Sequence, residues 1–201
     1  MKKDLTTEEK ILTAARQVFL SRGMDGARMQ DIADEAGINK ALLHYYFRSK
    51  DQLFERIFLE VANAFLPRVF AILGSDAPLF EKIELFCREY ISQVMTTPYV
   101  PIFILNEINR QPQEFLKKVF GGKKPPVEKL ITQIKREAKA GIIKPVEPLQ
   151  LLMNTLSLCL FPFLVSPMIQ LVTGMNAKQF HAIMENRKKE VPKMIIDSIK
   201  K

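Results

Sequence analysis

Residues 37–50 read GINKALLHYYFRSK, and this run indicates the architecture more clearly than any other segment. Gly37 is expected to end a preceding helix, because glycine adopts left-handed backbone angles without steric cost. Asn39 is placed to cap the next helix, and Ser49 with Gln52 forms a capping-box pattern for the helix after it. A short helix rich in polar and aromatic residues, directly after a glycine turn, predicts the base-contacting helix of a helix-turn-helix.

Apolar residues at helical spacing extend this pattern over the whole chain. Two predicted helices, about 7–22 and 29–36, precede a third at about 40–47. A fourth long helix begins at Lys50, and Pro67 is expected to bend or end it. Later helices are predicted at about 80–94, 102–108, 115–119, 127–138, 147–172 and 177–198, with Pro192 expected to break the last one.

No segment shows the strict alternation of a half-buried strand, so the sequence predicts an all-α fold. We expect residues 1–50 to form a three-helix helix-turn-helix DNA-binding domain. We expect this domain to continue without a linker into a C-terminal helical bundle, residues 51–201, for ligand binding and dimerisation.

The positive charge of the chain does not by itself predict DNA binding. The formal net charge is +8, but residues 1–60 contain ten Lys and Arg against ten Asp and Glu. The whole excess of positive charge therefore lies beyond residue 60, mainly in residues 117–144 and 187–201. DNA affinity of the N-terminal module must then depend on a few well-placed side chains.

The segment from about residue 7 to residue 65 resembles the TetR (AcrR-type) family of transcriptional regulators. The resemblance rests on Ala14-Ala15, Phe19 and Gly23, on DIADEAGI at 31–38 and on LHYYFRSKDQL at 43–53. It implies a homodimeric regulator, most often a repressor, whose two modules enter successive major grooves of a palindromic operator in double-stranded DNA. It also implies a small-molecule effector that binds in the C-terminal bundle and releases the DNA.

Four positions depart from the family pattern. Arg28 stands where Thr or Ser usually caps the second helix, which removes the cap and adds a cation near the expected phosphates. Leu42 stands where Thr or Asn is common, and His44 and Tyr46 replace the usual Tyr and His. These departures predict an operator that differs from the family's best-known ones.

The solvent face of this motif, residues 28–47, supplies most of the predicted DNA contacts. Lys40 is expected to donate to guanine acceptors and Ala41 to contact a thymine methyl group, with His44 one turn later on the same face. Tyr45, Tyr46 and Lys50 are expected at phosphates. The full predicted set is Arg28, Gln30, Asn39, Lys40, Ala41, His44, Tyr45, Tyr46 and Lys50.

Three residues of this region have a plainer alternative. Asn39 is as readily explained as a helix cap alone, and Tyr45 as a side chain that packs against the first helix. Arg48 is better explained as a solvated charge than as a contact.

A ligand pocket is predicted in the C-terminal part of the chain. Many Phe and Met side chains suit a mostly hydrophobic ligand, although an apolar stripe at helical spacing is also typical of an ordinary core. The candidate lining residues are Phe86, Tyr90, Met95, Phe103, Asn106, Met153, Asn154, Ser157 and Phe161.

Residues 148–177 carry no charge, which leaves two interpretations. The stretch is long enough for a membrane anchor, and a membrane-associated helical protein is the alternative function. Asn154, Ser157 and Pro162 inside it, and the absence of Trp or Tyr at its ends, favour a soluble helix buried against a second subunit. We therefore predict no membrane association and a homodimer formed through the last two helices.

The sequence predicts a binding protein rather than an enzyme. No nucleophile–base pair, metal-ligand spacing or phosphate-binding glycine loop is present, so we expect no cofactor and no metal. Cys87 and Cys159 are expected to be buried free thiols, with a redox pair as the alternative. The N-terminus shows no signal-peptide pattern, so the sequence predicts a cytoplasmic protein.

Overall fold

The computed structural model describes residues 5–123, 125 and 127–201. Within them the chain forms helices and no strand, so the predicted all-α class is confirmed. The helices are α1 (Thr7–Gly26), α2 (Met29–Glu35), α3 (Lys40–Tyr46), α4 (Lys50–Leu73), α5 (Leu79–Thr96), α6 (Val100–Arg110), α7 (Pro112–Phe120), α8 (Glu128–Lys139), α9 (Pro148–Leu164), α10 (Ser166–Thr173) and α11 (Ala177–Ile199).

The chain divides into two compact units. The first comprises Met1–Ala64 with Ile102–Lys123, and the second comprises Phe65–Pro101 with Lys124–Lys201. The predicted boundary after residue 50 therefore differs from the structural one. The start of α4 and most of α6 and α7 belong with the helix-turn-helix.

An aromatic core explains why the first unit extends this far. Phe19 of α1 meets Phe54 of α4 edge to face, with ring centroids 5.1 Å apart. Phe54 and Phe58 contact Phe103 of α6 at 5.4 and 5.8 Å, and Phe58 contacts Phe115 of α7 at 6.0 Å. All five rings are buried. Because such pairs stabilise a core beyond the effect of buried area, α6 and α7 are held against α4.

In the second unit α5 packs against both α9 and α11. One face of α5 is apolar and buried, and Tyr90 on this face contacts Phe65 and Phe86 with centroids 5.6 and 5.5 Å away. Cys87 and Cys159 are both free and buried, as predicted. A hydrogen bond with the Cys87 thiol, together with burial, raises the pKa of the Cys159 thiol, which keeps it protonated at neutral pH.

A buried lysine connects the turn after α4 to α8. The Lys82 side chain is 1% exposed. Its Nζ donates to the carbonyls of Leu73 and Ser75 at 3.4 and 2.9 Å and to Gln133 Oε1 at 2.6 Å. Gln133 Nε2 in turn donates to the Ala77 carbonyl at 3.1 Å. Burial lowers the pKa of Lys82, but each of its three donors has an acceptor.

Prolines affect the helices in different ways. α4 continues to Leu73, so Pro67 does not end it, and α11 runs through Pro192 without a break. The predicted single helix at 147–172 is two helices, α9 and α10, which meet at a bend of 64°. The bend falls between Pro162 and Pro167, the two residues whose missing backbone N–H groups weaken the helical hydrogen bonding there.

Candidate nucleic-acid interface

The turn between α2 and α3 is fixed by backbone hydrogen bonds. The Gly37 N–H donates to the Asp34 carbonyl at 3.1 Å, and the Ile38 N–H donates to the Ala33 carbonyl at 3.0 Å. This is the Schellman arrangement, in which the residue after the helix adopts left-handed angles. Gly37 has φ +67°, so the glycine is required by the backbone conformation.

α3 begins at a side-chain cap and is anchored by one apolar face. Asn39 Oδ1 accepts the Leu42 backbone N–H at 2.7 Å, as the capping pattern predicts. Leu43 on the inner face is fully buried, as are Ile32 and Ala33 of α2. The orientation of α3 is therefore set by packing, and its other face is left to solvent.

Eight of the nine predicted DNA-contacting residues are exposed in the first unit: Arg28, Gln30, Asn39, Lys40, Ala41, His44, Tyr45 and Tyr46. Tyr45 is 81% exposed, so it does not pack against α1. Its ring meets Tyr46 edge to face at 5.5 Å. Lys40 forms no hydrogen bond or ion pair with the part of the chain that the structure describes, and its ammonium group is free to bind a partner.

The start of α2 depends on Asp31, which the sequence analysis overlooked. Asp31 Oδ2 accepts the Arg28 backbone N–H at 3.2 Å and pairs with Arg22 at 2.7 Å. A carboxylate in the first helical turn also interacts favourably with the helix dipole. Asp31 thus partly compensates for the missing cap at Arg28. Asp at the third helical position was the available sequence signal.

Besides the capping Asn39, the side chains of Gln30 and Lys50 also have partners within the protein. Gln30 Nε2 donates to Asp34 Oδ1 at 2.7 Å along α2. Lys50, the first residue of α4, is half-buried, and its Nζ donates to the carbonyls of Met24 and Ala27 at 2.9 and 3.1 Å. The free lysine side chain expected at this helix N-terminus is therefore engaged within the protein.

The predicted ligand-pocket residues do not all face an interior. Phe86, Tyr90 and Phe103 are buried and Met95 is half-buried. Asn106, Met153, Asn154, Ser157 and Phe161 are exposed, which does not fit the prediction that they line a pocket. The last four lie on the outward face of α9, because Leu151, Thr155 and Cys159 occupy the face that points inward.

A small cavity does lie in the second unit. Apolar side chains line most of it, among them Ile83, Phe86, Leu130, Ile134 and Leu151. Thr155 and Lys82 are the polar residues of its wall. Thr155 donates to the Leu151 carbonyl at 2.7 Å, so its hydroxyl is satisfied within α9. Of the predicted pocket residues, Phe86 alone is on this wall.

Residues 11–57 match the family model of bacterial regulatory proteins of the tetR family, and this match covers α2, α3 and most of α1. The chain belongs to the TetR family. It is a DNA-binding transcriptional regulator, and the helix-turn-helix geometry above is the part that the family model recognises.

Relatives of this TetR-family chain extend the similarity over most of its length. It is 24% identical to the transcriptional regulator RutR of Escherichia coli over 96% of this chain and 90% of RutR. The fold is similar to that of the ketosteroid regulator KstR2 of Mycobacterium tuberculosis, with a TM-score of 0.73 over 99% of this chain and 97% of the other, at 15% identity. It is also similar to AibR in complex with isovaleryl coenzyme A and operator DNA, with a TM-score of 0.62 over 79% of this chain and 86% of AibR, at 25% identity.

The membrane-anchored alternative is not supported for this TetR-family chain. Among the described residues, no single helix combines the length and the hydropathy needed to cross a bilayer. α9 and α10 reach that threshold only when taken together, and the 64° bend separates them.

Proposed function

We propose that this chain is a cytoplasmic transcriptional repressor that binds a palindromic operator as a homodimer and leaves it when a small, mostly hydrophobic molecule binds. The exposed face of α3 carries the proposal. Lys40, Ala41 and His44 lie on a short helix whose start is capped and whose opposite face is buried. A rigid helix with an exposed, partner-free cation suits the reading of base edges in a major groove.

We assign separate roles to the exposed side chains. Lys40 donates to guanine O6 or N7, Ala41 contacts a thymine methyl group, and His44 reads the same groove one turn later. Arg28, Tyr45 and Tyr46 contact phosphates and set the register of the module on the duplex. Because residues 1–60 are neutral overall, these few contacts supply the affinity.

We further propose that α9 and α10 form the main dimer surface. They carry no charged residue, and their outward face exposes large apolar side chains. Phe161 is 58% exposed and Leu171 is 83% exposed. An uncharged apolar surface of this kind is typical of a site that a second subunit covers. α11 also exposes an apolar side chain, Ile183, but charged residues lie near it. We therefore assign α11 a smaller part of the dimer surface.

The effector is proposed to bind in the second unit. The apolar wall around Phe86 supports a hydrophobic ligand. The ligand of the similar protein AibR, isovaleryl coenzyme A, has an apolar acyl group at one end and a charged coenzyme at the other. The cavity is small, so a larger ligand requires the side chains around it to move apart. The proposed function consists of binding DNA and the effector, and it includes no catalytic step.

The direct test is binding of the purified chain to the DNA upstream of its own gene, with a shuffled duplex of equal length as control. We expect preference for the upstream DNA at fixed salt and its loss on addition of the effector. Equal affinity for both duplexes would refute sequence-specific regulation. Tight binding that no hydrophobic ligand reverses would refute the effector and leave the DNA-binding function intact.

A further inference from the structure

We infer that Lys50 is a positioning residue, which holds the start of α4 against the end of α1, rather than a phosphate contact. This inference rests on the proposed DNA-binding function and refines it. Its basis is the pair of hydrogen bonds from Lys50 Nζ to the carbonyls of Met24 and Ala27, at 2.9 and 3.1 Å.

The acceptors are carbonyls that the end of α1 leaves without helical partners. Gly23 has φ 67° and ψ −177°, which interrupts α1 three residues before its end. The last carbonyls of a helix have no intrahelical donors and carry partial negative charge. α1 has no basic residue in its own last turn, so Lys50 supplies the cation from 23 residues further along the chain.

The position of Lys50 in α4 makes this contact necessary. A cation at the first residue of a helix is repelled by the positive end of that helix dipole. The Lys50 side chain turns away from its own helix and places its ammonium group at the negative end of α1 instead. The Lys50 side chain is half-buried in this position.

The contact fixes the residues that lead into the proposed interface. Ala27 is buried, and its carbonyl is one of the two acceptors. Arg28 follows immediately at the N-cap position of α2, where its backbone N–H donates to Asp31. Loss of the Lys50 contact frees the 24–28 turn, so the turn must be ordered when the chain binds DNA. Arg28 still reaches its phosphate, so the affinity falls while the number of phosphates neutralised stays the same.

Reductive methylation of the unmodified, DNA-free chain tests the contact without any substitution. Formaldehyde with a mild hydride reagent methylates accessible lysine amines, and mass spectrometry reads each site. We expect Lys50 to react at least about tenfold more slowly than Lys40, which is exposed and has no partner among the described residues. Equal rates in the free chain, with protection of Lys50 appearing only on DNA, would overturn the inference.

Salt dependence of DNA binding separates positioning from phosphate contact. Lys50→Met is compared with Lys40→Met, which removes the same charge from an exposed site, and with Lys50→Arg. Affinity falls with salt, and the loss of one phosphate contact makes the slope of log affinity against log salt shallower by about 0.9. We expect Lys50→Met to bind every duplex about tenfold more weakly with an unchanged slope, and Lys50→Arg to restore affinity because guanidinium also donates to two carbonyls.

A fall of the Lys50→Met slope by the amount expected for one phosphate would contradict the inference, as would affinity equal to wild type. If the unsubstituted chain binds no DNA, the proposed function fails while the methylation result still decides whether the contact exists. If Lys50→Met does not fold, the methylation rates remain the deciding measurement.

Discussion

Asn39 and Leu42 are joined by the hydrogen bond that begins α3, in which the Leu42 backbone N–H donates to Asn39 Oδ1 at 2.7 Å. The bond uses one lone pair of the side-chain oxygen, and the Asn39 amide nitrogen has no partner among the described residues. A bidentate contact to adenine needs both the oxygen and the nitrogen of an asparagine amide. Asn39 therefore acts as the cap and retains a donor for DNA, and a bidentate contact would use the second lone pair of the capping oxygen.

The two roles of Asn39 can be separated by substitution. We predict that Asn39→Ala lowers the free energy of unfolding by about 1 kcal/mol, since the cap is lost. Asn39→Ser keeps the cap and restores stability, but it loses the amide donor and binds the operator several-fold more weakly. Chemical denaturation and fluorescence anisotropy measure the two effects. Operator binding by the serine variant at the wild-type level would show that Asn39 is a cap only.

Lys82 provides a prediction about stability. Lys82→Met removes the donor shared by Leu73, Ser75 and Gln133 and leaves buried acceptors unsatisfied. We predict a loss of about 2–4 kcal/mol in the free energy of unfolding, measured by urea denaturation. Lys129→Met is the control, because Lys129 pairs with Asp76 on the surface, where ion pairs contribute little. Equal, small losses for both variants would contradict the structural role of Lys82.

The dimer surface predicts a change of mass in solution. Leu171→Asp places a charge in the middle of the exposed apolar face of α10, so we expect the chain to sediment as a monomer at micromolar concentration. Ile142→Asp is the matched control, since Ile142 is exposed but lies in the turn after α8. A monomeric wild-type chain, or a Leu171→Asp variant that stays dimeric, would contradict the proposed surface.

The two cysteines predict slow thiol chemistry in the folded state. Both thiols are buried, and the hydrogen bond with Cys87, together with burial, raises the pKa of Cys159. Because the thiolate is the reactive form, neither thiol should react with a disulfide reagent at pH 8 until the chain unfolds. In denaturant both should react. Rapid reaction of either thiol in the native chain would favour the redox alternative.

Local signals in the sequence predicted the helix-turn-helix well. The Ser49 cap of α4, the glycine at 37 and the Asn39 cap each appear in the structure with the expected hydrogen bonds. These signals act within five residues of one another, so the identity of nearby residues is sufficient to predict them. The start of α4 at Lys50 was predicted by the same kind of signal.

Contacts between distant segments were beyond sequence reasoning. α6 and α7 join the first unit through Phe103 and Phe115, and nothing near those residues indicates which helix they contact. The Lys50 contact spans 26 residues to Met24 and depends on the backbone break at Gly23. Met153 and Phe161 point outward because the rest of the unit covers the opposite face of α9. The sequence of an almost wholly apolar helix has no polar residues at regular spacing to indicate which face is covered.

The most direct test of the account is an anisotropy titration of wild-type chain and Lys40→Ala against the upstream duplex and a shuffled duplex, at one salt concentration. If α3 reads base edges, Lys40→Ala should weaken binding to the upstream duplex by about tenfold or more and change binding to the shuffled duplex little. Equal losses on both duplexes would show that Lys40 does not read sequence. The central claim, that the exposed face of α3 selects the operator, would then be contradicted.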